Sequence, residues 1–180
     1  MIRRLITLSV VASGLMFAQT SAQVPKVTAV PIDEVAVKQG GSTPVQFMFR
    51  VAPGYHINSN KPKSELLIPT VVSLSVPTNI SVAKMKYPVG NDVAFPFSPD
   101  EKLSVYTGDF TVNAFVHAST ATSKGTYRVH GNLRYQACDN RACYPPTNVP
   151  ISFDVTVAKP TKTSSSSTKK NPAQSPHVHQ

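Results

Sequence analysis

The sequence predicts an all-β protein, a β-sandwich of immunoglobulin-like type, and three observations carry that expectation. Several stretches alternate apolar and polar residues with a period of two, the mark of strands with one buried face. Turn-forming clusters separate them, at Gln39-Gly40-Gly41, Ala52-Pro53-Gly54, Pro77-Thr78-Asn79, Val89-Gly90-Asn91-Asp92 and Ser123-Lys124-Gly125. No window carries a helical stripe. About seven short strands at this spacing indicate a sandwich. The absence of tryptophan, and two cysteines close in sequence, set it apart from an antibody-type domain.

Each element follows from its residues. Val27 to Val37 and Leu66 to Val76 are β-rich runs interrupted by Pro31 and Pro69. Proline cannot donate to a ladder, so these runs are expected at sheet edges or bends. Val45, Phe47, Phe49 and Val51 share one face against Gln46, Met48 and Arg50. Val112, Ala114, Val116 and Ala118 do the same against Thr111, Asn113, Phe115 and His117. Tyr127, Val129, Leu133 and Tyr135 alternate with Arg128, His130, Asn132 and Arg134. Ile151, Phe153, Val155 and Val157 alternate with Ser152, Asp154 and Thr156. Asn91 to Ser104 is the least strand-like internal stretch. It is read as a loop in which Phe95 and Phe97 alternate with prolines, either exposed or folded back on the core.

The two ends stand apart. Arg3 and Arg4, the mostly apolar run Leu5 to Phe17 and the small residues Thr20-Ser21-Ala22 read as an export signal over 1–22, cleaved before Gln23. That run is short for a membrane span, so stable membrane insertion is not expected. Residues 160–180 are rich in serine, threonine, lysine and proline, a composition that cannot offset its ordering entropy by burial. One domain is therefore expected over 23–159, in a periplasmic or secreted, most simply monomeric, protein. Of the net charge of +9, five charges belong to Arg3, Arg4, Lys162, Lys169 and Lys170. The remaining basic residues are scattered, without an aromatic-rich basic stripe, which argues against nucleic-acid binding.

Chemistry concentrates in Tyr135-Gln136-Ala137-Cys138-Asp139-Asn140-Arg141-Ala142-Cys143-Tyr144-Pro145-Pro146. In an exported chain with two cysteines, Cys138 pairs with Cys143 or with nothing in the chain. A preceding strand ends near Cys138 and the next begins after Pro146, so the pair flanks a hairpin connection. Closing a loop of about six residues stabilises by roughly 2 kcal/mol, against roughly 4 kcal/mol for an inter-sheet loop of about sixty. A purely structural bridge would do better elsewhere, whereas a short loop keeps reduced thiols close and the bond reversible. Arg141 places a cation near the pair and favours thiolate, and Asp139 opposes it. Tyr135 and Tyr144 are placed to cover the sulfurs, and Pro145-Pro146 stiffens the exit. No metal site is expected, because two thiols lack further ligands at local spacing. No cofactor is implied.

The stretch YQACDNRACYPP resembles the active-site hairpin of the N-terminal periplasmic domain of the DsbD family of thiol–disulfide reductant conductors. Pro53-Gly54-Tyr55-His56-Ile57-Asn58 is similar to that family's glycine-aromatic segment. Leu103 to Gly108, with Tyr106, falls where the family has a tyrosine-bearing strand start. The resemblance implies a sandwich with the cysteines on a hairpin, covered by a cap loop whose phenylalanine is Phe95 or Phe97. It also implies that Cys143 joins partner proteins and that Cys138 resolves them. The expected partners are thioredoxin-fold or membrane thiol–disulfide proteins. The chain departs from the family domain in having one residue fewer between its cysteines. It carries neither the transmembrane nor the thioredoxin-like domain, so its electron donor is expected to be a separate protein.

A different reading of the same residues is a non-catalytic immunoglobulin-like binding module with a structural hairpin disulfide, presenting Phe95 and Phe97. His117 and His130 lie on polar strand faces and are expected in solvent. His56, after Tyr55 in a loop, is able to approach the cysteines. A hydrolase finds no nucleophilic serine motif.

Overall fold

The structure, a computed structural model, describes residues 26–159. Both the export signal expected over 1–22 and the polar tail expected over 160–180 lie outside the described residues. Twelve strands follow in order within them: β1 (Val27–Ala29), β2 (Val35–Lys38), β3 (Ser42–Val51), β4 (His56–Asn58), β5 (Val71–Ser75), β6 (Ile80–Lys86), β7 (Asn91–Phe95), β8 (Ser98–Tyr106), β9 (Asp109–Ala118), β10 (Gly125–Tyr135), β11 (Ala137–Cys138) and β12 (Thr147–Ala158). The described residues contain no helix, and the all-β sandwich expected from the sequence is the fold.

Two four-stranded sheets form the layers, in the orders β1-β3-β9-β6 and β2-β12-β10-β5. Their inner faces are the apolar halves of the alternating stretches. Val45, Phe47, Phe49, Val51, Val112, Ala114 and Val116 from one layer join Val129, Leu133, Ile151, Phe153, Val155 and Val157 from the other in one buried cluster. The rings of Phe47 on β3 and Phe153 on β12 meet edge-on with centroids 5.8 Å apart, which locks the layers together. Period-two alternation is what a sheet with one dry face requires, and it places every second side chain in this cluster.

The prolines act as breaks at edges. Pro31 lies where the chain leaves β1, an edge of one sheet, for β2, an edge of the other. Pro69 precedes the edge strand β5, and Leu66 lies outside any strand, fully in solvent. Gly131 interrupts β10 for a different reason. A Cβ there would lie 2.2 Å from the Ser73 carbonyl oxygen and 2.6 Å from Leu74 Cδ2 on β5, so only glycine lets these strands close up.

A third sheet, β11-β4-β8-β7, sits at one end and accounts for the strand count exceeding the seven expected. Its members continue strands of both layers. β4 follows β3 through the Pro53-Gly54 turn, β8 runs into β9 through Gly108, and β11 follows β10 directly. Gly54 has φ of +82°, a left-handed conformation that favours glycine, and the Tyr55 N–H closes that turn on the Ala52 carbonyl at 3.1 Å.

Three expectations are corrected here. Residues 91–104 are not a loop: β7 and β8 pair as an antiparallel hairpin, with Phe95 opposite Ser98 around Pro96-Phe97. The register slips between Val93 and Phe95, an irregularity that tolerates the neighbouring prolines. His56 lies in strand β4, not in a loop. Tyr106 ends β8 and does not start a strand.

Candidate functional site

Residues 137–144 form a tight hairpin whose backbone bonds fix the cysteines face to face. The Tyr144 N–H donates to the Ala137 carbonyl at 2.8 Å, and the Asp139 N–H donates to the Ala142 carbonyl at 3.0 Å. Cys138 and Cys143 are the bridge pair between them. Flanked by bonded pairs, they occupy a non-hydrogen-bonded site, where facing side chains approach most closely. The spacing of four residues therefore suits a hairpin with a cross-strand disulfide. The bond is formed, with sulfurs 2.03 Å and Cα atoms 3.9 Å apart.

Asp139 organises the turn. One carboxylate oxygen accepts the backbone N–H groups of Arg141 at 2.7 Å and Ala142 at 2.9 Å. The other accepts the Tyr144 hydroxyl at 2.6 Å. This is the local bonding that makes aspartate a turn residue. The Tyr144 contact first, then the two N–H groups, hold the Asp139 carboxyl down to about 2. The same contact pushes the Tyr144 phenol up to about 12. A fixed anion thus stands next to Cys138 in the chain. Arg141 is exposed, and its cation is the smallest influence on the Asp139 carboxyl.

The two sulfurs are not equivalent. Cys138 is 0% exposed, whereas Cys143 is exposed. Cys138 lies directly opposite His56 in the β11–β4 pairing. Cross-strand neighbours point to the same face, so His56, Cys138 and Cys143 form one row across the sheet. His56 is 3% exposed. Burial lowers its pKa, with the Asp139 charge opposing, so the imidazole is neutral at neutral pH. Its Nε2 is buried with no hydrogen-bond partner among the described residues.

The β7–β8 hairpin covers the His56 end of this row. The Phe95 ring lies 3.8 Å from the His56 ring, nearly parallel to it, and Phe97 stacks outside Phe95 at 5.5 Å. Phe95 is 9% exposed and packs with Leu103 and Val105 in a small core of its own, while Phe97 is 38% exposed. Phe95 is thus folded back and Phe97 is the outer ring. Tyr55 and Tyr144 meet edge-on with centroids 6.0 Å apart. Lys26 Nζ sits 3.8 Å from the Tyr144 ring centre, a cation–π contact.

The two remaining tyrosines belong to the frame. Tyr135 packs in the main core. Tyr106 is also in that core, its ring stacked on Phe110 at 4.8 Å and its hydroxyl 2.7 Å from Asn60 Oδ1. Of the other histidines, His130 is exposed, and His117 bonds Ser42 Oγ at 3.1 Å.

Sequence reasoning missed an amide pair beside the row, the buried Asn58 and the half-buried Gln136. Asn58 Nδ2 donates to Gln136 Oε1 at 3.1 Å and to the Ile68 carbonyl at 3.0 Å. The Thr70 hydroxyl donates to the Asn58 carbonyl at 2.5 Å. These bonds tie residues 68–70 to β4 and to the junction of β10 with β11. Lys26 was also missed, since nothing near it in sequence points to Tyr144.

Comparison with known proteins adds a family. The profile of the family described as "Thiol:disulfide interchange protein DsbD, N-terminal" matches residues 24–154. Among solved structures, the chain is similar to the reduced DsbD N-terminal domain of Neisseria meningitidis, at 23% identity over 66% of this chain and 80% of that one, with a TM-score of 0.39. It is similar to the complex of the DsbD N-terminal and PilB N-terminal domains from the same organism, at 20% identity over 79% and 88%, with a TM-score of 0.42. The N-terminal periplasmic domain of ScsB from Proteus mirabilis is 18% identical over 71% of this chain and 44% of that one, with a TM-score of 0.45. No curated protein matches the sequence significantly.

Proposed function

This chain belongs to the thiol:disulfide interchange protein DsbD N-terminal family, and on that premise we propose that it is an exported thiol–disulfide exchange protein. It relays reducing equivalents between a membrane or thioredoxin-like donor and extracytoplasmic partner proteins, through Cys138 and Cys143. The observation that carries this reading is the asymmetry of the disulfide: one sulfur exposed, the other buried in the same hairpin.

In the reduced protein, the Cys143 thiolate attacks one sulfur of a partner disulfide. A Cys143–partner bond forms and the partner's second sulfur leaves as thiolate. Cys138, as thiolate, then attacks Cys143 Sγ. The Cys138–Cys143 bond forms, the partner's first sulfur leaves, and two electrons have passed to the partner. A donor dithiol attacking Cys143 restores the reduced pair by the reverse steps. The location proposed is the periplasm or the exterior, after cleavage of the signal over 1–22.

The test is a Cys138→Ser protein mixed with oxidised thioredoxin-fold proteins and membrane thiol–disulfide proteins. A mixed disulfide at Cys143 is expected. Its absence, where control exchange proteins form one, refutes the exchange role.

A further inference from the structure

The exchange just described leaves one proton unassigned. Cys138 must lose its proton before it attacks Cys143 Sγ, yet it is completely buried. A buried thiol favours its neutral form, and solvent base does not reach it while the site is closed. We propose that His56 takes that proton: it is the cross-strand neighbour of Cys138, and its buried Nε2 has no partner among the described residues.

The geometry supports this in three ways. First, the register makes His56 and Cys138 direct cross-strand partners, with their side chains on one face of the sheet. Second, a buried nitrogen without a hydrogen bond is costly, and such atoms in a folded protein call for an explanation in function. A thiol proton supplies that missing bond. Third, Phe95 stacks on the imidazole in a nearly parallel plane with centroids 3.8 Å apart, which holds the ring at 3% exposure.

The charged and titratable groups around His56 are few. Asp139, on the hairpin, is the carboxylate whose charge acts on the ring. Cys138 is the second. The β7–β8 hairpin presents the uncharged Phe95 and Phe97 toward the ring. On β8, Tyr106 has its hydroxyl engaged by Asn60 and Pro88. Asp92, at the start of β7, is paired with Lys63. A neutral imidazole in this setting is able to accept a proton, and the imidazolium formed is stabilised by the Asp139 carboxylate and the new thiolate.

The step balances. The Cys138 S–H proton passes to His56. The Cys138 thiolate attacks Cys143 Sγ, and the Cys138–Cys143 bond forms as the Cys143–partner bond breaks. The partner leaves as a thiolate that takes up the proton from the His56 imidazolium or from water. When a donor dithiol reduces the protein, the proton released by its attacking thiol is taken up by His56 and passed to the departing Cys138 sulfur, while the donor becomes the disulfide.

This inference rests on the exchange reading, and its test does not need the partner. Reduced protein is mixed with dithiobis-nitrobenzoate, an aromatic disulfide whose released thiolate is coloured. A first phase, proportional to reagent concentration, reports attack by Cys143. A second, independent of concentration, reports closure by Cys138. In the native protein the second rate should level off above the His56 titration. In His56→Phe and His56→Asn, it should fall roughly 10- to 100-fold at neutral pH and climb steadily into the thiol range, with the first phase little changed. A second phase with native rate and pH profile in both variants overturns the inference. If those variants do not fold, the His56 ring nitrogen shifts of the oxidised native protein are compared with those of Cys143→Ser, in which Cys138 is free. A changed His56 titration supports the inference, and identical curves overturn it. Failure to trap a partner on Cys138→Ser would sink the exchange role without altering either readout.

Discussion

The Asp139 carboxylate accepts the Tyr144 hydroxyl at 2.6 Å across the turn that holds the two cysteines. With the N–H groups of Arg141 and Ala142, this bond favours the ionised carboxylate and holds its pKa down to about 2. The consequence is a defined pH window. A depressed carboxylate adds stability that is full above its ordinary value of 3.8 and is lost as pH falls through about 2. Thermal melts of the native protein and Asp139→Asn should therefore differ at pH 6 and converge toward pH 2. Equal melting temperatures at pH 6 would show that the carboxylate does not hold the turn.

Unequal exposure predicts unequal reactivity. After reduction, Cys143 should react with iodoacetamide at least about 10-fold faster than Cys138, since only the accessible sulfur meets the reagent as thiolate. Single-cysteine variants, Cys138→Ser and Cys143→Ser, separate the two rates. Comparable rates would mean that the hairpin opens freely once reduced.

The two phenylalanines of the cap hairpin should separate in the same way. Phe95 is buried against His56, Leu103 and Val105, so Phe95→Ala should cost about 3 kcal/mol in denaturant unfolding, the low end for a buried phenylalanine. Phe97 is the half-exposed outer ring, and Phe97→Ala should change stability by only about 0.5 kcal/mol. Reduction of the disulfide by dithiothreitol should be faster in Phe95→Ala than in Phe97→Ala. The reverse order would make Phe97 the cap.

Close strand packing at Gly131 gives a test of the frame alone. Gly131→Ala drives a methyl group into the Ser73 carbonyl and the Leu74 side chain, and should destabilise by about 1–3 kcal/mol. The reactivity of Cys143, at the far end of β11 and its hairpin, should be unchanged in the folded fraction.

The layers of the sandwich were legible because their signal is local. Val45 to Val51 and Ile151 to Val157 each bury one face, and a half-buried strand must alternate. The cysteine hairpin was legible for the same reason, its turn residue Asp139 and both sulfurs lying within a few positions. The third sheet was not. β4 has three residues, too few for a period, and its partners are at 105–106 and 137–138. The β7–β8 hairpin was hidden by Pro96 and Pro99, which argue against strand in isolation; here Pro96 falls in the turn between the strands and Pro99 in the stretch where the register slips. The row of His56, Cys138 and Cys143 exists only once those short strands pair. Lys26 over Tyr144 and Asn58 with Gln136 are likewise contacts between distant segments, carried by no local pattern.

Everything proposed for the site requires a Cys138–Cys143 bond that opens and closes under physiological dithiols. A redox titration of the chain lacking residues 1–22, read by the fraction of free thiols at equilibrium with a graded dithiol buffer, measures this directly. The account predicts a reduction potential more oxidising than about −300 mV, the range of exchanging disulfides. A value well below that would mark the bond as structural and leave the protein as an immunoglobulin-like binding module.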